Sequence, residues 1–461
     1  MAEKKQKVSF GLKAAYGSGT FGINLTSMAI GSYITAYYTD TVLVAAAFVG
    51  TMMLLTRCLD GISDIVMGII IDHTHSKFGK ARPWVMLSAI PCAISLILVF
   101  SVPSGLGATG KMIYIYVTYI LSQVVCGTAG ALAVNSLCTY MSPDIGVRNE
   151  LTVGKTLGAN LGSLLATSCT MMVINAFGGG QKGYTMMAVA FGVACAIMMF
   201  ITAFTCKEYK VEAAAAGDAP KEQKEAATPV GTAVRILLSD RNTWVLTGCY
   251  VFNWLALTSN TSSMVYYARD VLHNSGYVTY LAFSISLPAI IILLLGIVSK
   301  LTAKIGKRKS LMIGAVLQAV GFGLVFILPT TLMNAVIGLV IRTFGLGIYT
   351  TNLHACVPDL ADYIDLKNNV HIAGTTNSIT SFGMKVGVGL GSAVTGWVLA
   401  AVGYSGEIAS AGGTQSALTI LGERLCYVGI PAIFCLIVLL LSHFTDIDSK
   451  LRELRASRGI A

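Results

Sequence analysis

The chain has 461 residues, 54% of them hydrophobic and only 12% charged, with a formal net charge of +10. A soluble protein of this size carries about 25% charged residues, so a soluble enzyme is excluded and an all-α polytopic membrane protein is expected. The basic excess reads as charge on loops facing one side of a membrane rather than as a nucleic-acid surface.

Apolar runs recur at roughly 12–38, 43–71, 84–103, 111–141, 151–175 and 184–206. After a polar interval they resume at roughly 242–267, 275–301, 309–329, 333–356, 371–403 and 418–444. About 20 apolar residues cross a bilayer, so the pattern predicts twelve transmembrane helices in two sets of six. Lysine and arginine set the orientation. With both termini inside, the inside segments hold 25 of the 32 basic residues, and the outside loops hold Lys111, Lys182, Arg269 and Arg424. Arg57, Arg342 and Lys385 fall within spans. The basic N-terminus lacks a compact apolar core with a small-residue cleavage site, so no cleaved signal peptide is expected. The eleven cysteines are odd in number, show no C-x-x-C spacing and lie mostly in apolar runs. They read as small membrane-core residues without metal or disulfide roles.

Residues 207–240 are charged and Ala-rich, with a disordered stretch expected and VGTAVRILL as a candidate interfacial helix. They divide the chain into an N-terminal six-helix half, 1–206, a cytoplasmic middle loop, and a C-terminal half, 241–461. The halves repeat weakly: Gly68 to Arg82 after the second span is echoed by Gly296 to Lys309 after the eighth, with the same glycine and basic cluster. Gly154, Gly158 and Gly162 on span five, and Gly383, Gly387 and Gly391 on span eleven, form small-residue stripes read as close helix contacts.

The second run carries Arg57, Asp60 and Asp64. The two aspartates are four apart and project from one helix face. A charge at mid-membrane costs at least about 2.5–3.5 kcal/mol, and one arginine neutralises only one carboxylate. The spare negative charge suits a Na⁺, Li⁺ or H⁺ that enters and leaves; no other metal site and no cofactor is expected. An aspartyl catalytic dyad needs carboxylates from facing elements, whereas these share one helix, so no enzyme is expected. Lys385, deep in span eleven, is expected to reach across a central cavity to the pair, while Arg342 reads as structural. Asn24 on span one and Thr128 on span four are candidates to complete the ion shell. Asp40 sits at a membrane edge, and Asp359, Asp362 and Asp365 are placed in a cytoplasmic loop. The donor-rich stretch from Asp72 to Trp84, with Lys80 and Arg82, reads as a cytoplasmic latch, and His73 and His75 as part of a solvated loop.

Arg57-x-x-Asp60-x-x-x-Asp64-x-x-x-Gly68, followed by Gly79-Lys80-x-Arg82-Pro83-Trp84, resembles the signature of the glycoside–pentoside–hexuronide:cation symporter family, which includes the melibiose and glucuronide permeases. Three further stretches agree: Ala15 to Asn24 with Tyr37-Tyr38-Thr39-Asp40, Pro358-Asp359-Leu-Ala-Asp362-Tyr363, and Ser381 to Lys385 with Gly403-Tyr404. The resemblance implies a major facilitator fold with a solute site between the halves and alternating access by rocking. It implies a cation site at Asp60 and Asp64, with Thr128 and Asn24 nearby, and Lys385 as the link between cation and solute. Asn24, Arg57, Asn135, Lys155, Thr350 and Lys385 are the expected solute contacts, and Asp72, Lys80, Arg82, Asp359 and Asp362 the cytoplasmic gate.

The chain departs from the family pattern in its sugar grip. Asn24 stands where the melibiose permease has an aspartate, Thr350 where it has a tryptophan, and span four reads Ala131-Leu-Ala133-Val134-Asn135. The Arg-x-Glu after the cytoplasmic loop reads His371-x-Ala373. The expected activity is H⁺- or Na⁺-coupled symport of a glycoside, uronide or related solute; the alternative is a uniporter or antiporter of a non-sugar organic solute. The expected setting is the bacterial cytoplasmic (inner) membrane, with lipid and a small solute as partners, no nucleic acid, and a monomer as the functional unit.

Overall fold

A computed structural model of the protein describes residues 8–142, 145–208, 230–368, 370 and 373–458. Among them there are helices, turns and no strand. Span 1 is Phe10–Ala36, span 2 Ala46–His73, span 3 Arg82–Val99, span 4 Ala108–Met141, span 5 Ile145–Ala176 and span 6 Gly180–Thr205. Span 7 is Arg241–Ser262, span 8 Tyr277–Leu295, span 9 Lys307–Ile327, span 10 Leu332–Asn368 and span 11 Ala373–Ala401. Span 12 runs from Ala417–Arg424 through a π turn, Leu425–Gly429, into Ile430–His443. Eight of these are long and apolar enough by themselves to cross a membrane. The other four are spans 1, 2, 7 and 8. The first three carry polar and charged groups that face an interior cavity, and span 8 is shorter. Most of the middle segment lies outside the described residues, but the candidate interfacial stretch is a helix, Val230–Ser239.

The packing repeats. Span 1 packs on spans 5 and 6, as span 7 packs on spans 11 and 12; span 3 packs on span 6, as span 9 packs on span 12. The halves meet where span 2 lies along span 11 and span 5 along span 8. The repeat extends to backbone detail. Spans 1 and 7 both run into a π turn, Tyr37–Thr41 and Tyr267–Val271. Two residues after each turn, Leu43 and His273 take positive φ of 63° and 54°. The same i→i+5 bonds close both: Val42 to Tyr37 at 3.1 Å and Leu272 to Tyr267 at 3.0 Å. Asp40 and Asp270 are therefore equivalent positions of the two halves.

Both glycine stripes are helix contacts. A methyl at Gly154, Gly158 or Gly162 would strike the span 1 carbonyls of Lys13, Gly17 or Phe21. At Gly391 it would come within 2.7 Å of the Leu255 carbonyl on span 7. Replacing Gly158 by Ala is expected to lower stability by about 1–3 kcal/mol through overpacking. Replacing Gly323, where nothing lies within 4 Å, is expected to be neutral or mildly stabilising, since alanine is the better helix former. Thermal unfolding of the two variants checks the contrast.

One expectation is corrected. Asp359, Asp362 and Asp365 are not in a loop but on span 10, which continues past Pro358 to Asn368. Proline removes one helical N–H and clashes with the carbonyl four residues back. The Lys307 ammonium donates to the Ala355 carbonyl at 3.3 Å, next to the His354 carbonyl that the proline leaves without its helical donor.

Candidate functional site

A cavity of about 480 Å³ lies between the halves. Ser27, Arg57, Asp60 and Asn160 line it from the N-terminal half, and Trp254, Thr258 and Lys385 from the other. Met28, Met264 and Met384 give it apolar, adaptable walls. The Trp254 indole N–H is buried and meets no acceptor among the described residues.

The charged cluster sits in the wall of this cavity. Lys385 is ion-paired with Asp64, and its ammonium lies 3.3 Å from Asp60 Oδ2 and 2.9 Å from the Asp60 carbonyl. The Thr128 hydroxyl donates to Asp60 Oδ1 at 2.8 Å and stands 3.1 Å from the Ser63 hydroxyl. Arg57 is more loosely held, 3.5 Å from Asp60 Oδ2. Local sequence explains the close fit. Gly389 of span 11 faces Arg57, where a methyl would lie 3.1 Å from its Cβ, so the two spans approach without obstruction. A π segment, Leu121–Gly127, precedes Thr128 in span 4, and such an insertion re-aims the residues that follow it. The Asp60 side chain is 10% exposed and that of Asp64, one turn nearer the basic loops, is 32% exposed.

The opposite end is closed by a second charged cluster. Arg269 at the end of span 7 binds Asp40 at 2.5 Å and Asp270 at 2.6 Å. Tyr404 donates to Asp40 at 2.6 Å and accepts from Arg269 at 2.7 Å. Thr39 and Tyr266 share a 2.8 Å hydrogen bond. Asp40 belongs to one half and its partners Arg269 and Tyr404 to the other, so this network fastens the halves together. Sequence reasoning placed Asp40 at an edge and Arg269 in a loop without pairing them. The signal was the repeat of Tyr-x-x-Asp at 37–40 and 267–270.

The remaining expected residues lie apart from the cluster. Asn24 donates to the Thr20 carbonyl of its own helix at 2.9 Å, and Thr350 to that of Leu346 at 2.8 Å. Lys155 is half-buried and Asn135 exposed; none of these four lines the cavity. The expected gate groups are engaged within their own halves. Glu208 accepts from the backbone N–H groups of Lys80, Ala81 and Arg82 at the start of span 3, where a carboxylate is favoured. Arg82 donates to the Ala203 carbonyl, Asp359 pairs with Lys307, and Asp362 pairs with Arg455 at 2.8 Å. The side chain of Asp72 and all of His371 lie outside the described residues.

Two repeated six-helix halves around a central cavity, closed at one end and charged in its wall, define a secondary transporter of the major facilitator type. The crystal structure of a bacterial homologue of the human lysosomal transporter Spinster, in an inward-facing and occupied conformation, superimposes with a TM-score of 0.68 at 14% identity, covering 95% of each chain. That likeness shows the fold. The chain belongs to the family described as MFS/sugar transport protein, which matches residues 15–449. The isoprimeverose transporter of Lactiplantibacillus pentosus is 28% identical over 439 residues, 93% of this chain and 87% of that one. The inner membrane symporter YicJ of Escherichia coli (strain K12) is 29% identical over 439 residues, 92% of this chain and 91% of that one. The protein is a multi-pass membrane transporter and not an enzyme.

Proposed function

We propose that the chain carries a sugar-like solute through the central cavity together with a cation held between Asp60, Asp64 and the Thr128 hydroxyl. The observation that carries this reading is Lys385, a C-terminal-half ammonium spanning both carboxylates of the N-terminal half. Lys385, Arg57, Asp60 and Asp64 together are neutral. A Na⁺, Li⁺ or H⁺ arriving at the carboxylates competes with Lys385 and releases it toward the cavity that it lines. The loaded site then presents one extra positive donor to the solute. Cation binding thus raises solute affinity, and linkage makes the effect mutual, which is the thermodynamic requirement of symport.

The cavity volume lies within the usual range of small-molecule sites, about 300–1,000 Å³. Its hydroxyl and amide side chains suit a polyol, and the Trp254 ring offers a flat apolar face with one free N–H. Isoprimeverose, named for the Lactiplantibacillus relative, is the first solute to test. The clustering of basic loops at one end supports a cytoplasmic-membrane setting with both termini inside. The Arg269 end then faces outward.

Adding isoprimeverose or a glucuronide to proteoliposomes is expected to draw H⁺ or Na⁺ inward with it, read by a pH dye or a Na⁺-selective electrode. Solute flux without movement of either ion would overturn the coupling. Ion movement driven only by non-sugar solutes would overturn the solute class.

A further inference from the structure

Arg342 on span 10 is a deep charge that the transport reading leaves unused. It is 1% exposed, and a guanidinium does not lose its proton in a protein. Its electrostatic neighbours are the Cys435 thiol and the Tyr427 phenol of span 12, with no carboxylate among them. The buried Glu423 of span 12 has Arg269, Asp270 and Asp40 as its electrostatic neighbours, and its carboxyl oxygens have no hydrogen-bond partner among the described residues. Spans 9 and 10 approach closely at Arg342. Its backbone is clamped by Gly321 of span 9, where even a methyl would lie 2.5 Å from the Arg342 nitrogen. The Phe322 ring lies 5.2 Å from its guanidinium carbon. One turn before Phe322, the buried Gln318 places its Oε1 4.0 Å from Cys435 Sγ.

The nitrogen groups left over have one chemical sense, and the Tyr427 hydroxyl beside them, unpartnered among the described residues, can also donate. Arg342 Nε and Nη1 and Gln318 Nε2 are buried, and none meets an acceptor among the described residues. All three are N–H donors on spans 9 and 10, facing span 12. A bound cation is excluded by the sign of Arg342. Water supplies lone pairs but no charge, and a lone buried cation is costly until a charge balances it. We infer that a monovalent anion of halide size binds between spans 9, 10 and 12, held by the Arg342 guanidinium and the Gln318 amide. Its role is to neutralise the interior of the C-terminal half. The site is independent of Asp60 and Asp64.

The test uses the purified full chain, unfolded thermally in chloride or bromide against gluconate at fixed Na⁺ and ionic strength. Wild type is expected to gain roughly 3 °C or more, saturably, in halide only. Gln318→Leu is expected to weaken the apparent halide affinity roughly tenfold by removing one charge-assisted donor. Arg342→Met is expected to abolish the halide response. Should that variant fail to fold, crystals of wild type soaked in bromide replace it, with an anomalous peak expected beside the guanidinium. Equal unfolding midpoints in halide and gluconate, a halide response unchanged in Gln318→Leu, or bromide crystals without that peak would each overturn the inference in favour of water.

Discussion

Replacing Asp60 by asparagine is expected to abolish uphill accumulation of solute while leaving exchange of solute across the membrane. Asparagine keeps the shape and the oxygen that accepts from Thr128, so the change falls on charge. With Asp60 neutral, Lys385 and Asp64 balance each other and Arg57 leaves the cavity wall permanently positive. An arriving cation then meets one carboxylate instead of two, in a wall that is already positive, and competes poorly with Lys385. One positive charge moved inward through 100 mV supplies about 2.3 kcal/mol, which sustains a roughly 40-fold gradient at about 1.4 kcal/mol per tenfold. Asp60→Asn is expected to lose that factor entirely in proteoliposomes under an imposed potential, while labelled-solute counterflow continues. Accumulation at the wild-type level would remove Asp60 from the coupling mechanism.

The second large effect is expected at the other end of the molecule. Arg269→Gln leaves Asp40 and Asp270 buried near Glu423 with no cation between them, and removing one partner of a buried ion pair costs about 3–5 kcal/mol. The closed arrangement loses that amount, because Asp40 joins the opposite half. The variant is expected to unfold at a clearly lower temperature and to favour conformations open at this end. Asp40→Asn in the same chain is expected to restore part of the loss, with an interaction energy of about 1–3 kcal/mol in a double-mutant cycle. Strictly additive effects would show that the two groups do not act as one latch.

The charged part of the candidate site was legible because a bilayer makes charge conspicuous. Asp60, Asp64 and Lys385 interrupt apolar runs, and the structure brings all three together with Thr128. Asn24, Asn135, Lys155 and Thr350 were weaker readings. A polar side chain on a helix finds a partner in its own carbonyl ladder as readily as in a cavity, as Asn24 and Thr350 do. Trp254 went unnoticed because a tryptophan in an apolar span carries no mark of which way it faces.

By itself the sequence determined the helical class, the two halves, the family and the deep charges, since each follows from local hydropathy, loop charge or spacing along one helix. Only the tertiary structure decided which carboxylate meets which cation. Arg269 lies 229 positions from Asp40, and Lys385 lies 321 from Asp64. Those pairings depend on how the halves pack, on glycines that let spans 2 and 11 approach, and on π turns that rotate Asp40, Thr128 and Asp270 into place. Such features change the direction of a side chain without changing the pattern of residues, so no periodicity along the chain reports them.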